Sequence, residues 1–126
     1  MKRVLKPSGL LGIRRTDWAG WVVHPRNPLV EEAFRLFKEI QIANGGNPYV
    51  GRALKGLLRE AGFSKRSVSA SYEVFDNLAC FVEWLANCLE LKGHTELRKN
   101  ARELRAWCEN PDALVAIPWF EVLGAA

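Results

Sequence analysis

The chain has 126 residues, 48% of them apolar and 25% charged, the composition of one soluble globular domain (1–126) with a single core. No window approaches the roughly 18 consecutive apolar residues of a membrane-spanning helix. The start, Met1-Lys2-Arg3-Val4-Leu5-Lys6-Pro7, breaks at Pro7 with no apolar run, so a secretory signal is not expected. The net charge of +4 conceals an asymmetry: residues 1–66 hold 13 of the 18 basic and 5 of the 14 acidic side chains, a net +8, against −4 over 67–126.

In chain order, residues 10–16 follow a Lys-Pro-Ser-Gly turn and read as a short strand, with an unusual pair of arginines inside it. Residues 17–27 read as a loop carrying Asp17, Trp18, Trp21, His24 and Arg26. Asn27 is a good N-cap, and Pro28 suits the first helical position, where its missing N–H costs nothing. Val30, Ala33, Phe34, Phe37 and Ile40 then recur at helical spacing until Gly45-Gly46. A second helix repeats this grammar, with Asn47 as cap, Pro48 in the first turn, Val50, Leu54, Leu57 and Leu58 as the stripe, and Gly62 as the stop.

Residues 67–75 alternate with period two, serines on the polar side, and are the clearest strand. Asp76 is the expected cap of a third helix carrying Leu78, Phe81, Val82, Leu85, Cys88 and Leu89, ending near Gly93. Thr95 is the expected cap of a fourth, with Leu97, Ala101, Leu104 and Cys108 on one side and Arg98, Lys99, Arg102 and Arg105 on a solvated face. A short turn of helix is expected after Asn110-Pro111, leading through Pro118 into a last strand at 119–123. The order β-α-α-β-α-α-β places the chain in the α/β class with about four helices. The long helical crossover favours parallel pairing of the first two strands, with the last strand a partner to both.

Cys80, Cys88 and Cys108 form no Cys-x-x-Cys, and their odd number fits no complete disulfide scheme, so a reducing cytoplasmic setting is expected. His24 and His94 have no ligand spacing between them, and no metal site is expected. A basic half can mark a nucleic-acid surface. Here the basic residues scatter among helix faces without interleaved aromatics, which favours oppositely charged halves packing on each other or on a second copy.

Arg3-Val4-Leu5-Lys6-Pro7-Ser8-Gly9 resembles the arginine-valine-leucine-lysine-proline-glycine-glycine turn that precedes the fifth strand of class I S-adenosylmethionine-dependent methyltransferases. The likeness is to the type 11, ubiquinone/menaquinone-biosynthesis-like branch, with Ser8 where that family has its first glycine. Leu57-Leu58-Arg59-Glu60-Ala61-Gly62-Phe63 resembles the family's junction into its sixth strand. The order of the two motifs and the spacing between them also fit. The resemblance implies a partial Rossmann-like fold, a three-stranded mixed sheet in the family's order 5-7-6, corresponding to the C-terminal, substrate-side half of the domain. That family binds its cofactor on the other half, through a glycine-rich turn. None of the ten glycines here is separated from another by a single residue, so no Gly-x-Gly exists and no cofactor is expected to bind this chain alone.

By the same resemblance, Asp17, Trp18, Trp21, His24 and Arg26, with Tyr49 and Trp119, correspond to the acceptor-substrate pocket. The tryptophans would enclose the acceptor, and Asp17 or His24 would take its proton. Each has a plainer role open to it, the tryptophans as core or interface aromatics and His24 as a donor to a nearby carbonyl. The family's fourth strand would leave the edge of 10–16 unpaired, which makes Leu11, Ile13, Arg14 and Arg15 the expected interface, covered by a second copy or by a separate chain carrying the cofactor half. The functional expectation is a truncated methyltransferase-like protein without activity by itself, acting as a small dimeric binding or structural module. A substrate-side subunit completed by a partner and a basic nucleic-acid-binding module are the other two readings.

Overall fold

The computed structural model describes residues 2–64, 66–75, 78–92 and 95–126. In chain order it contains a 3-10 turn (Lys2–Val4), β1 (Leu10–Thr16), a second 3-10 turn (Trp18–Gly20), β2 (Val22–His24), α1 (Pro28–Ala43), α2 (Val50–Glu60), β3 (Arg66–Val74), α3 (Leu78–Glu90), α4 (Thr95–Cys108) and β4 (Leu114–Ala125). The expected Asp76 cap, the Gly93 stop and His94 lie outside the described residues. Among the described residues no helix is long and apolar enough to cross a membrane.

β4 is the hub of the sheet. β1 pairs with it antiparallel from Leu10↔Ala125 to Thr16↔Trp119, and β2 from Val22↔Ala116 to His24↔Leu114. β3 also pairs with β4, and the Ser64 N–H to Ala125 O and Phe75 N–H to Val115 O bonds at its two ends give it the antiparallel sense. The sheet therefore has four antiparallel strands, correcting the expected three-stranded mixed sheet and the parallel pairing of its first two strands. β2 has only three residues, too few for alternation to register in a sequence. β4 runs for 12 residues through Pro118, which the sequence reads as the boundary of a shorter strand. Proline cannot donate to a ladder, but the Pro118 carbonyl accepts the Asp17 N–H at 3.2 Å. The longer β4 gives β1, β2 and β3 a common partner.

The described residues pack as two compact units, each threaded from separate stretches of chain. Unit 1 comprises Met1–Gly20, Pro48–Glu73 and Ile117–Ala126. Alternate residues of its strands, Leu11 and Ile13 of β1 with Phe120 and Val122 of β4, meet Val50, Leu54 and Leu58 of α2, and Phe63 completes the cluster. Leu57, expected in the α2 stripe, is exposed instead. α2 has Tyr49 in its N-cap position, so the Asn47-Pro48 signal falls early, and Gly62 ends the helix at φ +80°.

The Lys6–Gly9 turn closes with Gly9 N–H donating to Lys6 O at 2.8 Å. Pro7 fills its second position, and Ser8 takes φ +63° at the third, as in a type II turn, where glycine is favoured. Relief of the left-handed conformation outweighs the added freedom of the unfolded chain, so Ser8→Gly is expected to stabilise by about 0.5–1 kcal/mol. A urea midpoint that stays put or falls would contradict this.

Unit 2 comprises Trp21–Asn47 and Val74–Ala116. Asn27 caps α1 as expected, its Oδ1 accepting from the Leu29 and Val30 N–H groups. Val30, Ala33 and Phe37 of α1, Val82, Leu85 and Leu89 of α3, and Leu97, Ala101 and Leu104 of α4 are buried. α4 also buries Asn100, whose side chain donates to Leu29 O at 2.9 Å, and Trp107, whose Nε1 donates to Pro25 O at 2.9 Å. Arg105 leaves the expected solvated face to bridge Glu83 and Glu90 of α3 at 2.7 and 2.6 Å. Arg98, Lys99 and Arg102 remain exposed.

The charge asymmetry follows the two units. Unit 1 holds ten basic and four acidic residues, a net +6, and unit 2 holds eight and ten, a net −2.

Candidate functional site

The residues expected to shape an acceptor pocket divide between the units: Asp17, Trp18, Tyr49 and Trp119 belong to unit 1, and Trp21, His24 and Arg26 to unit 2.

In unit 1 the chain leaves β1 at Thr16 and turns at once, and that turn buries Asp17 to 1% exposure. Its Oδ2 accepts from Arg52 Nε at 2.5 Å, and its Oδ1 accepts from Arg52 Nη2 at 2.8 Å and from the Ala19 N–H at 3.0 Å. Burial pushes the carboxyl upward. The Arg52 hydrogen bonds, the Ala19 N–H and the guanidinium charge together overcome that push and hold it below the ordinary aspartate value. A carboxylate with both oxygens engaged and a lowered pKa is a poor proton acceptor. Asp17 is an anchor, tying the 17–20 turn to the first turn of α2. Tyr49 lies beside the same arginine, 5.9 Å from its ring centroid to Arg52 Cζ. The Trp18 N–H donates to Pro48 O at 2.9 Å, a second tie to the approach of α2.

On the other face of this sheet, Arg14 is the centre of a second cluster. Its Nε lies 2.9 Å from Glu121, its cross-strand partner, and its Nη2 lies 3.7 Å from Glu73 of β3. Its Cζ sits 4.3 Å from the Trp119 ring centroid, within cation–π range. Beside it a shallow groove of about 260 Å³ is lined by Gly12, Ile13, Arg14, Ser67, Ser69, Glu121, Val122 and Leu123. Arg14 and Glu121 are the charged groups of this lining, and they pair with each other, so the groove carries no net charge of its own.

In unit 2, Trp21 packs among aromatics, edge-on to Phe34 at 5.2 Å and tilted against Phe81 at 5.4 Å, and Phe81 stacks on Phe75 at 4.6 Å. Its role there is core packing. His24 is exposed at the end of β2, opposite Leu114. Arg26 is exposed and pairs with Glu31 at 2.7 Å. Burial pushes the Cys88 and Cys108 thiols up, with Glu109 adding to the effect at Cys108, so neither is an activated nucleophile.

The expected interface residues also separate. Leu11 and Ile13 turn inward onto the α2 core, while Arg14 and Arg15 are exposed. Among the described residues β1 pairs with β4 alone, so its second edge is open. Sequence reasoning missed Arg52, Glu73 and Glu121. The period-two run Trp119, Glu121, Leu123 was a legible sign that Glu121 shares a sheet face with Trp119. No local pattern joins Asp17 to an arginine 35 residues away. Compared with known proteins, the chain matches no protein-family model and no curated protein.

Proposed function

We propose that this chain is a methyltransferase-like module, Rossmann-like in its strand order and corresponding to the substrate-side half of a class I methyltransferase. By itself it neither binds S-adenosylmethionine nor transfers a methyl group, and it works in the cytoplasm as a small binding or structural protein. The observation that carries this reading is β4, which pairs antiparallel with β1 and also pairs with β3. That is the order in which the resembling family sets its seventh strand between the fifth and the sixth. Ser8 adds support, since it takes φ +63° where that family has a glycine. The open edge of β1 corresponds to the place of the family's fourth strand, and it receives a strand from a second copy or from a separate chain carrying the cofactor half.

Titration calorimetry of the isolated chain with S-adenosylmethionine is expected to give no heat of binding, and light scattering at micromolar concentration is expected to give a dimer. Micromolar cofactor binding would overturn the non-catalytic reading, and a clean monomer would overturn the dimer.

A second reading, a nucleic-acid-binding module, is favoured by the concentration of +6 in unit 1. It requires retention on a polyanion resin with a steep dependence on salt. Elution at low salt would exclude it.

A further inference from the structure

All nine residues of β3 are exposed, although the strand belongs to the sheet. Val68, Tyr72 and Val74, the large apolar members of its alternating pattern, are 45%, 59% and 49% exposed. Among the described residues β3 pairs with β4 alone, so its second edge is open. Exposed edges ordinarily carry charge, proline or a bulge to prevent pairing. The stretch from Val68 to Tyr72 has no charge and no proline.

We infer that a second copy of this chain pairs with β3, antiparallel, about a two-fold axis through Ala70. This rests on the proposed association through an open sheet edge, and it assigns the second copy to β3, leaving β1 for a different chain. A two-fold axis relating antiparallel neighbours stands perpendicular to the sheet, so it pairs residues that point to the same face. For this nine-residue strand, the register centred on Ala70 uses the whole length. It sets Val68 opposite Tyr72 twice, an aromatic against a β-branched side chain, and Ser69 opposite Ser71 twice. Ser67 then faces Glu73 and Arg66 faces Val74, so no like charges meet.

The corresponding register of β1, centred on Ile13, brings the two Arg14 side chains to diagonal positions and lines four guanidinium groups along one seven-residue ladder. Glu121 and Glu73 offset Arg14, whereas no ion pair is described for Arg15. Charge therefore opposes self-pairing at β1 and leaves β3 permissive.

The test uses the full chain with Cys80→Ser, which removes the exposed native thiol. On this background Ala70→Cys places a thiol on the axis, within disulfide reach of its copy. Mild oxidation is expected to give a reducible covalent dimer. Ser71→Cys, whose copies sit diagonally, is expected to link far more slowly. Val68→Lys, read by light scattering without any cross-link, is expected to weaken the dimer by about tenfold or more. Equal linking of Ala70→Cys and Ser71→Cys would overturn the register. A dimer that ignores Val68→Lys and does not link through Ala70→Cys would overturn the β3 assignment while leaving open-edge association standing. A monomer that does not link would overturn both.

Discussion

Gly51→Val is expected to destabilise the protein by about 3 kcal/mol, while Gly56→Ala, five residues along the same helix, is expected to stabilise it by about 0.5–1 kcal/mol. Both glycines lie within α2 and each weakens it as an isolated helix, so propensity alone predicts a gain from alanine at either position. Packing reverses the sign at one of them. A Cβ on Gly51 falls 2.8 Å from Thr16 O, 2.9 Å from Phe120 Cδ2 and 3.1 Å from Arg15 O. Two of those atoms are β1 backbone, held in the ladder with β4, and cannot swing aside. Overpacking a tight site costs about 1–3 kcal/mol, which exceeds the propensity gain of about 1 kcal/mol, so even Gly51→Ala is expected to destabilise. Valine adds two methyl groups and a stiff χ1. A Cβ on Gly56 meets nothing within 4 Å. Urea denaturation of the three variants decides the matter. A Gly51→Ala protein as stable as the parent would mean that α2 does not approach β1 so closely.

Arg52→Met is expected to destabilise more than Asp17→Asn at neutral pH, and its deficit is expected to shrink as the pH falls. The asymmetry follows from burial: the Asp17 side chain is 1% exposed and that of Arg52 is 58% exposed. Asp17→Asn returns the arginine to water and keeps an oxygen for the Ala19 N–H, which limits the loss to about 1–2 kcal/mol. Arg52→Met leaves a buried carboxylate with no counter-charge, held only by the backbone N–H groups of Ala19 and residue 52.

In the parent, the folded pKa of Asp17 is lowered because the arginine and backbone contacts overcome desolvation. The stabilisation is therefore present above the unfolded value of about 3.9 and is lost as pH falls through the lower folded value. Without the Arg52 guanidinium, only the backbone N–H groups of Ala19 and residue 52 oppose desolvation, and the folded pKa of Asp17 rises from its lowered position. The deficit of the variant against the parent is then full at neutral pH and shrinks as pH falls from the variant's folded value toward the parent's lower one. Urea midpoints of parent and variant across that range should converge. A constant gap would show that Asp17 is not a buried carboxylate.

Several elements were legible because local chemistry decides them. Asn27 accepts from two of the unsatisfied N–H groups that begin α1, and Pro28 follows it where no donor is needed, so that helix start could be read directly. β1 spans the predicted 10–16, whereas Thr95, expected as the cap of α4, is already its first helical residue. Asn47-Pro48 carries a similar signal, yet α2 starts at Val50. The Pro48 carbonyl is drawn into a bond with the Trp18 N–H, a contact 30 residues distant in sequence. β3 shows what alternation leaves open. Period two reveals that two faces of a strand differ, but whether either face is covered depends on where a helix lies. α2 covers the Leu11, Ile13 and Val122 face of β1 and β4, and the β3 residues are all exposed. The candidate site was less legible still, since the partners of Asp17 and Arg14 come from α2, β3 and β4.

The sequence by itself determined the α/β class, the helix stripes, the charge asymmetry and the absence of a Gly-x-Gly turn, because each is written in neighbouring residues or in composition. Only the tertiary structure decided that β4 runs through Pro118 to serve three strands, that the charge collects as +6 in one unit and −2 in the other, and that Asp17 is a neutralised anchor. The reason is common to all three. A strand partner, a buried ion pair and a compact unit are each made from segments far apart in the chain, and the energy that selects them exists only once those segments meet.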